Sequence, residues 1–533
     1  MFGFRSFRSS PFLIFAALTS LAVGIGANSI VFSVVDAVVL RSLPFPDSGR
    51  VALLWQQRIQ DAKDFDDTAP ANFVDWREQN HSFEQLAAYT STTFNLTETG
   101  NPEEVIGSRV TPDFFEVLQV QPILGRTFTP DEALQQAARV VVISYGLWER
   151  RFASDRAILG KQLRLNGTPH TIIGVMQPGW FLVSNSDIWV PLGWNNTTLK
   201  RDDHYLSVTG RLKPGVTFSQ AKEDMDKVAH GLATVYPTEN AGYGILVRPV
   251  DDVFPDQRDR RFYFVLMGMV GFVLLIACAN VANLQLARAN ARTRDTATKA
   301  ALGASRAVLI RQYLIESVVL GILGGILGLV FAFVGIRIIA ASPTFTNYWN
   351  KITLNASVVI FTLTLSVLSG IIFGILPALH ASRLNIRQML EEAGRSAGKG
   401  VRFQQFGRIL VAVEVMLALA LLTVGVDMVR NFLALRNQDP GFDTKGLVTL
   451  RVSLPSAKYG TGQFSKDQIV TPTFDRIAEL IRSMPGITDV SYITVLPRNA
   501  SDPRARFTIP ESRQLQGGEA PIASWRAVSS NYF

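Results

Sequence analysis

A bilayer core about 30 Å thick is crossed by about 20 predominantly apolar residues in a helix. Five stretches of this chain qualify: residues 12–40, 262–286, 308–341, 358–379 and 409–429. In lipid every backbone polar group must be satisfied internally, so stretches of this kind that cross a membrane do so as helices. The rest of the 533 residues is ordinary soluble sequence, which is why mean hydropathy is only +0.19 with 18% charged residues. For the first stretch the competing reading is a signal peptide, since Arg5 and Arg8 precede it and small residues follow at positions 24–27. The apolar pattern resumes at Ile30 and runs to Leu40, longer than the about 7–15 residues of a signal-peptide core. At about 1.5 Å per residue the helix outruns the hydrocarbon, so its outer end is expected to project as a stalk.

Lys and Arg in short loops set orientation. Following the second stretch come Arg288, Arg292, Arg294, Lys299, Arg306 and Arg311 against one acid, Asp295. Between the fourth and fifth lie Arg383, Arg387, Arg395, Lys399, Arg402 and Arg408 against Glu391 and Glu392. The link between the third and fourth carries only Lys351, with Arg337 near it as an exception. These loops agree with a cytoplasmic N-terminus, which leaves residues 41–261 and everything after about residue 430 outside. The expected division is residues 1–40 for the N-terminal tail and first membrane helix, and 41–261 for an outside domain. Helices two to four then occupy 262–379, a cytoplasmic linker 380–408 and the fifth helix 409–432. A truncated second outside domain occupies 433–533.

The outside domain reads as α/β. Residues 71–90 show helical periodicity, with Phe73, Trp76, Phe83 and Leu86 on one side. Residues 139–144 form a β-branched run suited to a buried strand. Residues 162–176 alternate around Asn166-Gly167, a strong hairpin signal. Residues 204–212 read as a strand ended by Lys213-Pro214-Gly215. Residues 217–236 then form an amphipathic helix capped by Thr217 or Ser219, and 244–249 a last strand. After the fifth membrane stretch the pattern partly repeats: alternating residues 447–454, a helix at 474–484, and a terminus, VSSNYF, matching VTPDFF at 110–115. The expectation is a second copy cut off part-way, hence a fragment.

Little here suggests catalysis. Asp64, Asp66 and Asp67 lack the Gly and distal Glu of a calcium loop and read as a solvated turn. Ser144 has no G-x-S-x-G context. His204 beside Asp202 and Asp203 reads as surface, and Trp180, Phe181 and Trp194 as packing. The five histidines never reach metal-ligand spacing, and the single cysteine, Cys278, lies in an apolar run. The segment around Gly394, Gly398 and Lys399 has the wrong glycine spacing for a phosphate-binding loop, and no Ser or Thr follows the lysine. No catalytic, metal or cofactor residue is assigned, and the net charge of +8 gathers beside apolar runs rather than in a nucleic-acid-binding patch.

Several blocks resemble one family. LAVGIGANSIVFSVVDAVVLRSLPFPD (21–47), LLIACANVANLQLARANARTR (274–294) and ALGASRAVLIRQYLIESVVLGILGGILG (301–328) look like MacB/FtsX-type ABC-transporter permeases. SYGLWERRF, LRLNGTPHTIIGVMQPG and GRLKPGVTFSQA look like the MacB periplasmic core. The combination most resembles the duplicated orphan permease branch. The resemblance implies an α-helical membrane bundle plus an α/β periplasmic domain of MacB core type, in the bacterial inner membrane. It also implies a permease that passes the motion of a cytoplasmic ABC ATPase to the periplasm, for efflux or envelope export. ATP would be held by that partner, and the permease would pair with a second protomer or with the second half of a duplicated chain. A periplasmic partner is also implied, and no nucleic acid. The other expectations are an FtsX-like scaffold that regulates an envelope enzyme, and a membrane-anchored enzyme or sensor, which the missing catalytic constellation disfavours.

The resemblance makes residues 292–306 a coupling segment that docks on the ATPase, with Arg292, Arg294, Asp295, Lys299, Leu302 and Arg306 as candidates. Where the family usually carries a Glu and apolar residues, this chain reads Asp295-Thr-Ala-Thr-Lys299. The alternative is that these cations only enforce topology. Gly321, Gly324, Gly325 and Gly328, with Gly370 and Gly374, form small-xxx-small faces for close helix packing. Glu316 and Glu414 are acids inside apolar helices, which is costly and marks them as functional candidates. Asn280 and Asn283 are expected to hydrogen-bond between helices.

Overall fold

The computed structural model describes residues 11–41, 43, 45–59, 65–97, 102–134, 139–178, 186–193, 199–291, 298, 305–340, 352–382, 401–438, 442–443, 446–454, 467–497, 504–506 and 522–533. In chain order, helix α1 (Pro11–Val35) continues into a wide π-type turn at Asp36–Leu40. The outer domain follows with β1 (Val51–Arg58), β2 (Phe65–Asp66), α2 (Pro70–Gln79), β3 (Phe83–Thr97), β4 (Glu103–Val110) and β5 (Pro122–Gly125). It continues with β6 (Val140–Ile143), α3 (Tyr145–Phe152), β7 (Gln162–Leu165), β8 (Thr168–Met176), β9 (Ile188–Pro191), β10 (Ser207–Leu212), α4 (Phe218–Val235) and β11 (Tyr243–Pro249). Four long helices come next: α5 (Gln257–Ala291), α6 (Arg306–Ala340), α7 (Ala356–Ser382) and α8 (Val401–Arg436). The chain ends with α9 (Asp467–Arg482), β12 (Arg504–Arg506) and β13 (Ile522–Ser524).

Two compact units divide the chain. The first comprises residues 1–93, 106–161 and 171–428, and the second residues 94–105, 162–170 and 429–533.

Among the described residues, five helices are long and apolar enough to cross a membrane. Of α1's most apolar window 67% is buried, against none of α8's. Helix α1 is therefore the centre of the four-helix packing, set against α5, α6 and α7. Its outer end, expected from its length to project as a stalk, is packed among its neighbours. Val34, Val35, Ala37 and Val38 are buried with Tyr263, Ala332, Ile336 and Ile352. The neighbours outrun the hydrocarbon too, α5 and α6 at 35 residues each, so the bundle extends as a group. Arg337 has its guanidinium 4.4 Å from the centre of the Phe333 ring, a cation–π contact at the outer end of α6.

The domain's sheet has the order β11-β1-β10-β3-β4-β9-β6-β8-β5. β1 pairs antiparallel with β10 and β11, whereas β4–β9 and β6–β8 are parallel. One face packs Val51, Leu53, Phe114, Phe115, Val142 and Trp189 together, and the other packs Phe73, Trp76, Leu86, Val208 and Leu232 under α2 and α4. The helix expected over residues 71–90 is half right. α2 stops at Gln79, where the Asn80 side chain bonds the Trp76 and Arg77 carbonyls and accepts from the Phe83 amide. Phe83 and Leu86 sit in strand β3 instead. Residues three apart cannot share a strand face, but the pairing slips here: Gln85 faces Arg211 while Phe83 faces Leu212. The extra residue, Glu84, is a bulge that returns Phe83 to the face of Leu86, so a bulged strand imitates a helical spacing.

The Asn166-Gly167 turn has both φ values positive, 52° and 81°, as a two-residue hairpin requires. Thr217, of the two capping expectations, is the cap of α4. Its hydroxyl accepts from the Gln220 amide while the Gln220 side chain accepts from the Thr217 amide. Within α4, Asp224 accepts from the His81 and Ser82 amides at 2.7 and 2.9 Å. Burial alone would raise its pKa, but these donors hold it below the ordinary carboxylate value. A folded pKa below the unfolded one adds stability above the carboxylate range and loses it as pH falls. Asp224→Asn is expected to lower stability near neutrality and to flatten the acid-side decline, read by thermal melts from about pH 7 to about pH 3.

In the second unit, Tyr492 donates to Asp475 of α9 at 2.9 Å, Arg482 pairs with Asp489, and β12 pairs antiparallel with β13. The helix expected at 474–484 is present as α9. The strand expected at 447–454 is not formed: these residues have no regular secondary structure, with Leu447, Val448 and Leu450 exposed. A strand needs a neighbour for its amides and carbonyls. Here the described contacts are the Asn95 side chain donating to the Ser453 carbonyl and Arg451 near Glu104.

Candidate functional site: the bundle and its junction with the sheet

Alternate glycines of α6 serve two different neighbours. A Cβ on Gly321 would meet the Ser366 carbonyl of α7 at 2.5 Å, and one on Gly325 would overlap the Ser366 hydroxyl. A Cβ on Gly324 would meet Leu21 of α1 at 2.7 Å, and on Gly328 the Gly26 nitrogen at 3.1 Å. The contact with α7 is reciprocal. A Cβ on Gly370 would meet the Val318 Cα and the Ser317 carbonyl at 2.8 and 2.9 Å, and one on Gly374 the Ser317 side chain at 2.6 Å. Each helix thus offers glycines to the other's serine, and the backbones approach closely.

A polar seam runs along α1. Asn28 donates to the Val270 carbonyl of α5 at 2.7 Å, Ser29 shares a hydrogen bond with Thr362 of α7 at 2.7 Å, and Ser33 donates to the Thr353 carbonyl. At its outer end Asp36, 5% exposed, accepts from Arg41 at 2.8 Å and from the Asn355 amide at 2.9 Å. Of the asparagines expected to bond between helices, Asn280 is exposed and Asn283 half-buried, and between α5 and α6 Ser317 donates to Gln285 at 2.8 Å.

Beyond α1 the chain enters the domain core at Leu43 and Phe45. Arg211 on β10, 2% exposed, holds this exit segment. It donates to the Val117 carbonyl at 2.7 Å, the Pro46 carbonyl at 3.1 Å and the Asp47 carbonyl at 3.4 Å. Burial, then neighbouring Arg50, pulls its pKa below the ordinary guanidinium value. On the return side, Arg260 of α5 donates to the Asp251 and Pro255 carbonyls, and the half-buried Asp251 carboxyl accepts from Ser48. Exit and return are therefore tied, and they continue as paired strands, with Ala52 opposite Pro249 through Arg58 opposite Tyr243.

Of the expected coupling residues, Arg292, Arg294, Asp295, Lys299 and Leu302 lie outside the described residues, and Arg306 is exposed as the first residue of α6. Trp180, Phe181, Trp194 and Asp64 also lie outside them. Glu316 is half-buried on α6. Glu414 is half-buried on α8, where its Oε1 has no hydrogen-bond partner. Ser144 caps α3 and donates to Asp187, and the His204 ring reaches the Arg201 carbonyl. Among the described residues no three His, Cys, Asp or Glu side chains gather as metal ligands. Asp36 and Arg211 were not foreseen. An acid in an apolar stretch was a readable signal for Asp36, whereas Arg211 looks like any strand cation until its partners are seen.

Known families match the same two parts of the chain. Residues 14–228 match the MacB-like periplasmic core domain, and residues 267–386 the FtsX-like permease C-terminal domain. A probable export ATP-binding/permease protein MacB from Pseudomonas entomophila is 28% identical over 52% of this chain and 40% of that protein. A macrolide export ATP-binding/permease protein MacB from Burkholderia orbicola is 24% identical over 72% of this chain and 56% of that protein. The chain thus spans about half the length of the curated relatives it matches. With five apolar helices and a periplasmic core domain, it is a multi-pass inner-membrane protein. Core domain first and FtsX-like helices after it, on one chain, make this protein a member of the MacB/FtsX-like ABC-transporter permease family.

Proposed function

We propose that this chain is the permease subunit of an ABC-type export system, coupling a separate cytoplasmic ATPase to conformational change in the periplasm. The observation that carries the reading is the doubled junction. A displacement of α1 or α5 reaches the sheet through two tied segments and the β1–β11 pair rather than through a flexible linker. The cation placement in the sequence supports a cytoplasmic N-terminus and a periplasmic domain within residues 41–261. Residues 292–306 are then the ATPase-docking segment, with Arg292, Arg294, Asp295, Lys299, Leu302 and Arg306 as contacts. ATP belongs to the partner. Glu414, whose Oε1 has no hydrogen-bond partner within the apolar stretch of α8, suggests that α8 meets a polar group of a second protomer or further helices.

Purification of the full-length protein from its host membrane, with and without residues 292–299 replaced by a Gly/Ser sequence, tests the reading. The expected outcome is an ABC ATPase that co-purifies with the unaltered chain and whose ATP hydrolysis loses its dependence on the permease when the segment is replaced. Co-purification and activity indifferent to the replacement would sink the coupling role. An associated envelope hydrolase in place of the ATPase would point to a scaffold.

A further inference from the structure

The wide turn that ends α1 carries a feature that the packing of the bundle does not require. The Arg41 amide bonds the Asp36 carbonyl five residues back, at 2.9 Å, while the Arg41 guanidinium bonds the Asp36 carboxylate at 2.8 Å. Backbone and side chain thus close the same loop twice. Such single wide turns interrupt the regular ladder and bend a helix at a defined place. Arg41 itself is already extended, with φ −76° and ψ 137°, and Leu43, two residues on, is in the domain core.

The other partner of Asp36 is Asn355, which divides its side chain between two helices. Its Oδ1 accepts from the Val358 amide at 2.9 Å and so caps α7, while its Nδ2 donates to Asp36 at 2.9 Å. Ser33, nearly one turn earlier on α1, donates to the Thr353 carbonyl in the same segment. When α1 and α7 part here, Asp36 loses Asn355 but keeps Arg41. The step breaks the hydrogen bonds of Asp36 to Asn355 and of Ser33 to Thr353 but strands no unpaired buried charge, which is the costly event. A contact built this way can open and close reversibly.

We propose that Asp36 and Asn355 form a mechanical joint: they are positioning residues that fix the exit of α1 to the first turn of α7 and release it when the bundle moves. The proposal rests on the reading that bundle motion reaches the periplasmic domain, and it names where that motion enters.

The test is made on the full chain in lipid nanodiscs, in a Cys278→Ser background, by pulsed electron–electron spin-label distances. Leu40→Cys with Ser357→Cys, both exposed, spans the joint. Val23→Cys with Leu327→Cys, also exposed, monitors the bundle. Asp36→Ala is expected to abolish the single narrow joint distance and leave the bundle distance unchanged. Asn355→Ser keeps a good helix cap but removes the amide donor, and is expected to do the same. It decides the matter should Asp36→Ala alter the bundle pair. Asp36→Asn combined with Asn355→Asp exchanges donor and acceptor and is expected to restore the narrow distance. A filler role for Asp36 gives no such rescue. Retention of the narrow distance in Asn355→Ser, or failure of the exchange to restore it, overturns the proposal. A third pair, Ser357→Cys with Lys222→Cys on α4, reports the domain. If the joint pair broadens and the domain pair stays narrow, the joint stands and transmission to the domain falls.

Discussion

Gly325→Val is expected to be among the most damaging single substitutions in the bundle. The added Cβ would overlap the Ser366 hydroxyl and lie 2.9 Å from the Ser366 Cβ. Serine can rotate its hydroxyl away but cannot move its own Cβ, so the helices must separate. Overpacking of this kind costs about 1–3 kcal/mol, and a β-branched residue adds to it by crowding the preceding turn. Separation would also disturb the reciprocal contacts of Gly370 and Gly374 on Ser317. Thermal unfolding of the full chain in detergent measures the effect. Two comparisons give it meaning. Gly325→Ala with Ser366→Gly should recover most of the loss, because the second change removes the atoms in the way. Gly425→Ala on α8, where nothing lies within 4 Å, should be neutral or slightly stabilising, since alanine is favoured over glycine in a helix by about 1 kcal/mol. A Gly325→Val chain as stable as the Gly425→Ala chain would contradict the packing described here.

Arg211→Met is expected to have the comparable effect in the sheet domain. Methionine fills much of the buried volume, so the loss is that of the donors rather than of packing. The Val117, Pro46 and Asp47 carbonyls lose the guanidinium that binds them; the buried Val117 carbonyl left without a donor costs about 1–3 kcal/mol, while Pro46 and Asp47 are exposed and the Asp47 carbonyl keeps the Arg50 amide. Arg211→Lys should rescue little, because a single ammonium cannot reproduce the planar fork that reaches three carbonyls. Limited proteolysis reads the local consequence: cleavage within residues 43–51 should rise well before global unfolding. If cleavage there is unchanged while the domain melts earlier, Arg211 stabilises the sheet but does not hold the exit segment.

Much of the fold was legible because local rules act on neighbouring residues. Asn166-Gly167 announces its hairpin through two residues that accept positive φ, and Thr217 with Gln220 announces the start of α4. The error over residues 71–90 has a physical cause. A bulge at Glu84 changes the strand period, and the bulge exists only because β10 slips its register alongside. The segment at 447–454 makes the opposite point. Its alternation is that of a strand, but a strand is a relation between two segments, and the alternating pattern does not supply the second.

The candidate site divides in the same way. Glycine spacing on α6 and α7 marked close-packing faces, but not that successive glycines face α7 and α1 in turn. Glu316 and Glu414 stood out because acids are rare in apolar stretches. Asp36 obeys the same rule yet lies in the part of α1 expected to project as a stalk, and its partners are Arg41 and, 319 residues away, Asn355. Apolar length and cation placement, read along the chain, determined a polytopic membrane protein with a soluble α/β domain between its first two helices. Both depend on the chain's interaction with lipid and water, which each segment meets by itself. Tertiary structure alone decided that α1 is the centre of the bundle, that Arg211 clamps its exit and that Asp36 ties it to α7. Those depend on which distant groups become neighbours, and a buried polar atom has no meaning until its partner is in place.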